Sequence, residues 1–294
     1  MGKYSSVIIG NISLDYNIDS DGNTIENLGG AAVYSSAAAF ALGHSPLVVT
    51  KLKPEDFDRL SAFTIPKENV IALTGDSSTS IKNQYLTKDK EKRICTCLSR
   101  GTGFTAADLP NVDTDVYHFA GLIFGDFDND IIKLASKKGA VAVDVQAVLR
   151  HADMKNGGKM YFEDWADKKE MLPYITYLKT DAAEAEIMTG TADRRKAAEI
   201  LHSFGAKEIL ITHNTEVLVY NGEQFYTSPI KSRNLSGRTG RGDTTFAAYI
   251  NERLNSDIIY SLLMAAATVS LKMESPGAFL GTREDVKEYI KLFY

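Results

Sequence analysis

Gly240-Arg241-Gly242-Asp243 runs into Thr244-Thr245-Phe246-Ala247-Ala248-Tyr249-Ile250, so a glycine-rich turn meets an apolar helical pattern with one acid at the junction. Glycines let a backbone approach a ligand closely, and the free N–H groups of a helix start aim the positive end of its dipole at whatever sits there. The pattern predicts an anion hole at Gly240 and Gly242. Asp243 falls in the first helical turn beside it, where a carboxylate can accept the proton of an attacking hydroxyl. That is the equipment of phosphoryl transfer, in which positioning and charge stabilisation supply most of the catalysis. Arg241 carries a planar fork of donors between the two glycines, either clamping a phosphate or an anionic acceptor, or turned to solvent and a surface acid. Arg238 is a second guanidinium on the same turn. Taken alone, the turn also reads as a loop capping a helix, with Asp243 favoured only by the dipole.

Elements that could position this turn recur along the chain. Val7-Ile8-Ile9-Gly10 reads as a buried parallel strand delivering Asn11 and Asp15 to the C-terminal edge of a sheet, where ligands bind in open α/β folds. Gly29-Gly30 opens an alanine-rich helical run, Ala31 to Leu42, closed by Gly43. Short apolar runs alternate with helical ones from Val116: Val116 to Ala120, Asp130 to Lys138, Val141 to Val145, Tyr174 to Lys179, Glu208 to Thr212, then Val217 to Tyr220 closed by Asn221-Gly222. This alternation argues βαβ crossovers and a mainly parallel sheet. Thr180-Asp181-Ala182-Ala183-Glu184 reads as an acidic helix start, and Asp257 to Lys272 as an amphipathic helix leading into the loop Glu274 to Ala278. Polar and apolar residues alternate between Tyr16 and Leu28 around Asp21-Gly22-Asn23, and again at 80–86 and 93–98 about the charged turn Lys88 to Lys92. Those stretches predict a small separate sheet whose edges need covering, which makes pairing with a second subunit an expectation.

The turn at 237–243 resembles the C-terminal signature of the PfkB (ribokinase-like) carbohydrate kinases, D-T-x-G-A-G-D, with Gly237 at the opening acid and Arg241 at the alanine. Gly29, Gly30 and Tyr34 match the G-G-x-x-x-N signature, with Tyr34 at the asparagine; Asp181 and Glu184 match N-x-x-E; Asp144 to Arg150 is similar to D-x-Q-G-x-x-R. Thr212 matches the start of T-x-G-x-x-G, whose glycines fall on Asn214 and Val217. The resemblance covers nearly the whole chain. It implies a single ribokinase-like three-layer α/β/α domain over 1–294 with a mainly parallel sheet and a small β lid from about 12–28 and 79–100. It further implies an ATP-dependent kinase acting on a hydroxyl of a small sugar or polyol. Asp243 is then the base and Gly240, Arg241 and Gly242 the anion hole. Asn11, Asp15, Gly29, Gly30 and Tyr34 face the acceptor, and Lys179, Thr212 and Asn214 the nucleotide. Glu184 and Asp181 serve Mg²⁺, neighbouring loops hold a monovalent cation, and the lid is a homodimer contact. An inositol or nucleoside acceptor remains open, as does a non-catalytic sugar- or nucleotide-binding regulator.

Composition excludes other classes. At 294 residues and 44% hydrophobic content the chain can fill one large core. A net charge of -5 and a pI near 5.6 give no basic footprint for nucleic acid. Cys95 and Cys97 lack the spacing of redox or zinc sites and read as reduced packing residues, and the five histidines have no metal-ligand spacing. No G-x-G-x-x-G follows the first strand, which argues against a dinucleotide-dependent dehydrogenase. No apolar run approaches the roughly 18 residues of a membrane span, and the strand-like N-terminus makes a cytoplasmic location the expectation.

Overall fold

The computed structural model describes residues 3–87 and 93–294, so the charged turn expected at 88–92 lies outside the described residues. Two sheets form the molecule. The larger has nine strands, β1 (Tyr4–Ile9), β4 (Pro46–Leu52), β5 (Val70–Thr74), β8 (Thr114–Phe119), β9 (Ala140–Asp144), β12 (Tyr177–Asp181), β13 (Glu208–Thr212), β14 (Glu216–Tyr220) and β15 (Phe225–Pro229). Their order is β15-β14-β13-β12-β9-β8-β1-β4-β5. All neighbours from β5 to β13 pair in parallel, and only β14 and β15 run antiparallel. The chain therefore builds outward from β1 to β5, then returns to β8 on the other side. The switch leaves a crevice at the C-terminal ends of β1 and β8, the usual ligand position in such sheets.

The main helices are α1 (Ala31–Ala41), α2 (Asn129–Ser136), α3 (Gln146–Leu149), α4 (Lys168–Met171), α5 (Ala182–Thr189), α6 (Arg194–Ser203), α7 (Arg241–Glu252), α8 (Ile258–Lys272) and α9 (Arg283–Phe293). Strand alternation divides the core between two helical layers. Val141, Val143, Ile209 and Ile211 face a layer containing Ile131, Ala197 and Leu201, while Ala142 and Leu210 face Phe246, Tyr249, Leu262 and Ala265 of α7 and α8. Asp257 caps α8 rather than belonging to it, and α8 is buried on most of its surface instead of along one stripe. Its alanines Ala265, Ala266 and Ala267 permit that close approach. The strand expected from Tyr174 begins only at Tyr177, because Leu172-Pro173-Tyr174 forms a 3₁₀ turn closed by Ile175 N–H on the Leu172 carbonyl.

The smaller sheet has six strands in the order β10-β11-β7-β6-β2-β3. β2 (Ser13–Ile18) and β3 (Thr24–Gly29) form a hairpin, β6 (Thr79–Tyr85) pairs parallel to β2 and antiparallel to β7 (Arg93–Ser99), and β10 (Arg150–Asp153) and β11 (Lys159–Phe162) complete it. The sheet is larger than the one expected from 12–28 and 79–100, since residues 150–162 add two strands to it. Asp19 holds the first hairpin by accepting from the amides of Asp21 and Asn23. Cys97 is buried and Cys95 half-buried, both as free thiols. Among the described residues no helix is long and apolar enough to cross a membrane.

Candidate active site

Because β1, β9, β12 and β13 run parallel, Asn11, Asp144, Lys179, Asp181 and Thr212 all arrive at one edge of the larger sheet. The N-termini of α5 and α7 meet them there. Asp144 Oδ1 is fixed by the Gln146 amide at 3.0 Å, and its Oδ2 lies 2.9 Å from Lys179 Nζ. Glu184 Oε2 stands 3.9 Å from the same ammonium. Burial alone would lower the Lys179 ammonium, but Asp144, Glu184 and Asp181 around it hold it above its ordinary value. A methyl group on Gly242 would sit 3.0 Å from Lys179 Nζ, so the cation lies directly under the turn that precedes Asp243.

Asp243 occupies the first turn of α7 as predicted from the sequence. Burial pushes its carboxyl up to about 6, with Asp144 adding to the effect and Lys179 and Arg150 opposing it. A carboxylate with that value is ionised near neutrality yet basic enough to take a hydroxyl proton. Gly240 caps α7 at φ 77°, and a methyl there would lie 2.2 Å from Tyr34 Cδ1. The ring of Tyr34 on α1 thus packs on the turn itself. Ser35 of α1 donates to the Asp243 carbonyl at 3.4 Å, tying the two helix starts together. Burial raises the Tyr34 phenol above its usual range, reinforced by Asp15 and Asp243.

Asp181 and Glu184 form a reciprocal cap on α5: each backbone amide donates 2.8 Å to the other's carboxylate. One oxygen of each acid is used this way, and the other oxygen of each lies outside the cap. Burial pushes Glu184 up to about 7, while Lys179 pulls it back. Among the described residues no three His, Cys, Asp or Glu side chains gather into a metal cage. One or two carboxylates together with phosphate oxygens suit Mg²⁺, so the donor chemistry of this pair fits that ion.

On the smaller sheet, Asp15 Oδ1 is buried with no hydrogen-bond partner among the described residues. Burial raises its carboxyl, opposed by a hydrogen bond from Ser13 and by Arg150 and Arg93. Gly29 lies against it, since a methyl there would be 3.1 Å from Asp15 Oδ2 and 3.7 Å from Tyr34 Cε2. The neighbouring strands continue this polar face: Asn83 Nδ2 donates to Asn17 Oδ1 at 3.1 Å, and the Cys95 thiol to Asn83 Oδ1 at 3.3 Å. Asn11 is fully buried, its amide oxygen accepting from the Lys51 amide and its nitrogen donating to the Thr102 carbonyl. Gly30 begins α1 just behind it. Thr212 is buried at the end of β13, its hydroxyl reaching the Thr180 carbonyl. Exposed Asn214 accepts from Arg241 Nη1 at 2.8 Å, so this guanidinium does not simply trail into solvent.

A model of the pfkB family carbohydrate kinases matches residues 5–284. This chain belongs to that family. It is a kinase and a phosphotransferase of the ribokinase fold. Among its relatives, a pyrophosphate-dependent kinase of the ribokinase family, solved with a pyrophosphate analogue and myo-inositol, is 34% identical, with a TM-score of 0.86 over 96% of this chain and 99% of that one. A cytidine kinase of Thermococcus kodakarensis is 25% identical over 254 residues, 83% of this chain and 86% of the relative. The ribokinase of Arabidopsis thaliana, solved with ribose and ATP, shares the fold at a TM-score of 0.75 and 16% identity, covering 99% of both chains.

Three residues of this candidate site have no role assigned by the sequence motifs. Asp144 and Arg150 lay inside a recognised stretch without an assigned role; an acid ending a buried strand was the available signal for the first. Lys272 is the third. It is 2% exposed, and its ammonium donates to the carbonyls of Gly237 and Thr239. Its signal was a lysine on the apolar pattern of α8, where a charge has no reason to sit without partners.

Proposed function

We propose that this kinase transfers a phosphoryl group from inorganic pyrophosphate to a ring hydroxyl of a cyclic polyol of the inositol type, with Asp243 as general base. The observation that carries the donor half is the Arg241–Asn214 hydrogen bond. It joins the anion-hole turn to the loop after β13, the two segments that the family resemblance sets on either side of the nucleotide. A charged fork stands where the family signature has an alanine, and a short, highly charged donor gains from it what a nucleoside moiety would lose. The 34% identical pyrophosphate-dependent relative supports the same donor and acceptor.

In this reading the acceptor hydroxyl lies between Asp15 and Asp243. Asp243 takes its proton as the oxygen attacks the transferring phosphorus, the bridging P–O bond of pyrophosphate breaks, and orthophosphate leaves with the bond's electrons. The amides of Gly240 and Gly242 and the Lys179 ammonium below them hold the charge that spreads over the phosphoryl oxygens. Glu184 and Asp181 are the residues to hold Mg²⁺, which when bound neutralises the donor phosphates. The ionised base beside a buried cation favours catalysis over a ligand-binding regulator, for which an Asp243 raised to about 6 would be a cost without a use. The smaller sheet then acts as the lid, and its Ile25, Ile94 and Leu98, all 45% exposed or more, are the residues to cover in a homodimer.

A second reading, ATP as donor to a nucleoside, is favoured by the cytidine kinase relative. One experiment separates them. Purified protein is offered pyrophosphate or ATP with myo-inositol, ribose or cytidine, and phosphorylated product is followed by ³¹P NMR. The proposal expects acceptor-dependent consumption of pyrophosphate with myo-inositol at least about tenfold faster than any ATP reaction, the size of effect one lost charge-assisted bond produces. Faster turnover of ATP with cytidine would replace it by the second reading.

A further inference from the structure

The turn that carries the anion hole is fastened to the C-terminus of α8 by three short contacts. Gly237 N–H donates to the Met273 carbonyl at 2.7 Å, and Lys272 Nζ donates to the Gly237 carbonyl at 2.5 Å and to the Thr239 carbonyl. A methyl at Gly237 would lie 1.8 Å from the Ser275 carbonyl oxygen, so any side chain at this position would push the turn off its seat. The third side of the ammonium faces the ring of Tyr34, 5.4 Å from its centroid, and Tyr34 in turn packs against Gly240. An ammonium has three N–H donors and no acceptor. Here two carbonyls and one aromatic face meet all of them, which is how a lysine can be almost wholly buried.

Two backbone carbonyls of one turn, with an aromatic face beside them, form a seat for a cation. The family resemblance places a monovalent cation among the loops beside the nucleotide, and the seat on Gly237 and Thr239, against which the 274–278 loop packs at Ser275, lies in that region. The residues present do not fit an exchangeable ion there, because any ion bound to those two carbonyls would have to displace the Lys272 ammonium. We propose that Lys272 is a built-in cation: it holds the Gly237 and Thr239 carbonyls turned away from the phosphate, so that the Gly240–Gly242 amides point into the anion hole, and it makes the kinase independent of potassium or any other monovalent cation. Lys272 is a positioning residue, acting on the reaction through the turn. The inference rests on the reading of 237–243 as the phosphate-binding turn.

The test compares the wild-type protein with Lys272→Met, which keeps the apolar stem and removes the ammonium. Initial rates with the best donor and acceptor, and thermal midpoints, are measured in tetramethylammonium, sodium, potassium and ammonium chloride at equal ionic strength. Wild-type rates and midpoints should be the same in all four within about twofold in rate. Lys272→Met should lose about 10²-fold in kcat in tetramethylammonium, the order expected of a displacement of about 1 Å near the transferring group, and should regain at least a tenth of the loss in potassium or ammonium with a higher midpoint. Activation of the wild type by potassium, or a Lys272→Met enzyme with wild-type kcat and no cation response, would overturn the proposal. If Lys272→Met does not fold, the wild-type series still decides. If no donor and acceptor react at all, the kinase reading of the turn has failed, while potassium-dependent stabilisation of the wild type would count separately against the built-in cation.

Discussion

At the C-terminal edge of the larger sheet, Asp144 and Glu184 lie 2.9 and 3.9 Å from Lys179, and Asp243 stands above the same cation with its carboxyl raised to about 6 by burial. Across the crevice, the smaller sheet offers a chain of weaker groups, Cys95 to Asn83 to Asn17, and one buried carboxylate oxygen of Asp15 without a partner among the described residues. The first region concentrates charge on rigid strand ends and helix starts. Apart from Asp15, the second strings neutral donors and acceptors across paired strands, where a residue can be exchanged without unbalancing a buried charge. Under the proposed function this contrast separates the half fixed by the reaction from the half fixed by the acceptor: phosphoryl transfer requires the charges, whereas a hydroxyl-rich ring would be recognised by hydrogen bonds that can be redrawn.

The largest effect should come from the charged half. Asp243→Asn is expected to lower kcat by about 10² to 10⁴ while acceptor binding persists. Wild-type kcat should fall about tenfold per pH unit below about 6 and level off above it, because the base must be ionised to act. The stability consequence has the opposite sign. A carboxyl whose folded value is raised above 3.8 favours the folded state while protonated, and that advantage is lost as pH rises through about 6. At pH 7.5 Asp243→Asn should therefore melt at or above the wild-type temperature. A variant that loses both activity and several degrees of Tm would assign Asp243 to the scaffold and break the division between the two regions.

The charged half was also the more legible in the sequence, for a physical reason. Gly240, Gly242 and Asp243 sit within one turn, and Asp181 and Glu184 within another, so local spacing alone brings each group together. The alternating core strands were equally plain, since buried parallel strands must be apolar runs. Lys272 was hidden because its partners are the carbonyls of residues 237 and 239, more than 30 positions away, and carbonyls leave no trace in residue identity. β10 and β11 were hidden because four-residue strands such as Arg-His-Ala-Asp carry too short an alternation to stand out. Their inclusion matters to the site, since Arg150 at the start of β10 opposes the raised carboxyls of both Asp15 and Asp243.

An intermediate effect is expected at the donor. Arg241→Ala should raise KM for pyrophosphate about ten- to a hundredfold, as the loss of a charge-assisted bond of roughly 1.5 to 3 kcal/mol implies, and leave KM for the acceptor unchanged. The same change should improve the ratio of ATP to pyrophosphate turnover if the Arg241–Asn214 contact is what crowds a nucleotide. An equal loss with both donors would make Arg241 a general phosphate clamp rather than a selector.

The smallest effect should arise on the smaller sheet. Asn83 is 7% exposed, donates to Asn17 at 3.1 Å and accepts from Cys95 at 3.3 Å, so its amide orders a row of three polar groups on the strands beside Asp15. Asn83→Leu keeps a similar volume but removes both bonds, leaving Asn17 Oδ1 without this donor and the Cys95 thiol without its acceptor. One neutral hydrogen bond to an acceptor hydroxyl contributes about 0.5 to 1.5 kcal/mol, which corresponds to a KM for the polyol raised about two- to tenfold. KM for pyrophosphate should not move, because the side-chain hydrogen bonds of Asn83 stay within the smaller sheet. Product analysis adds a sharper reading, since a ring with several equivalent-looking hydroxyls can turn when one anchoring bond is lost, and the phosphate would then appear on a different carbon. A change in donor KM without any change in acceptor KM or product would show that the two regions are coupled through the strands, and would remove the separation on which the other expectations stand.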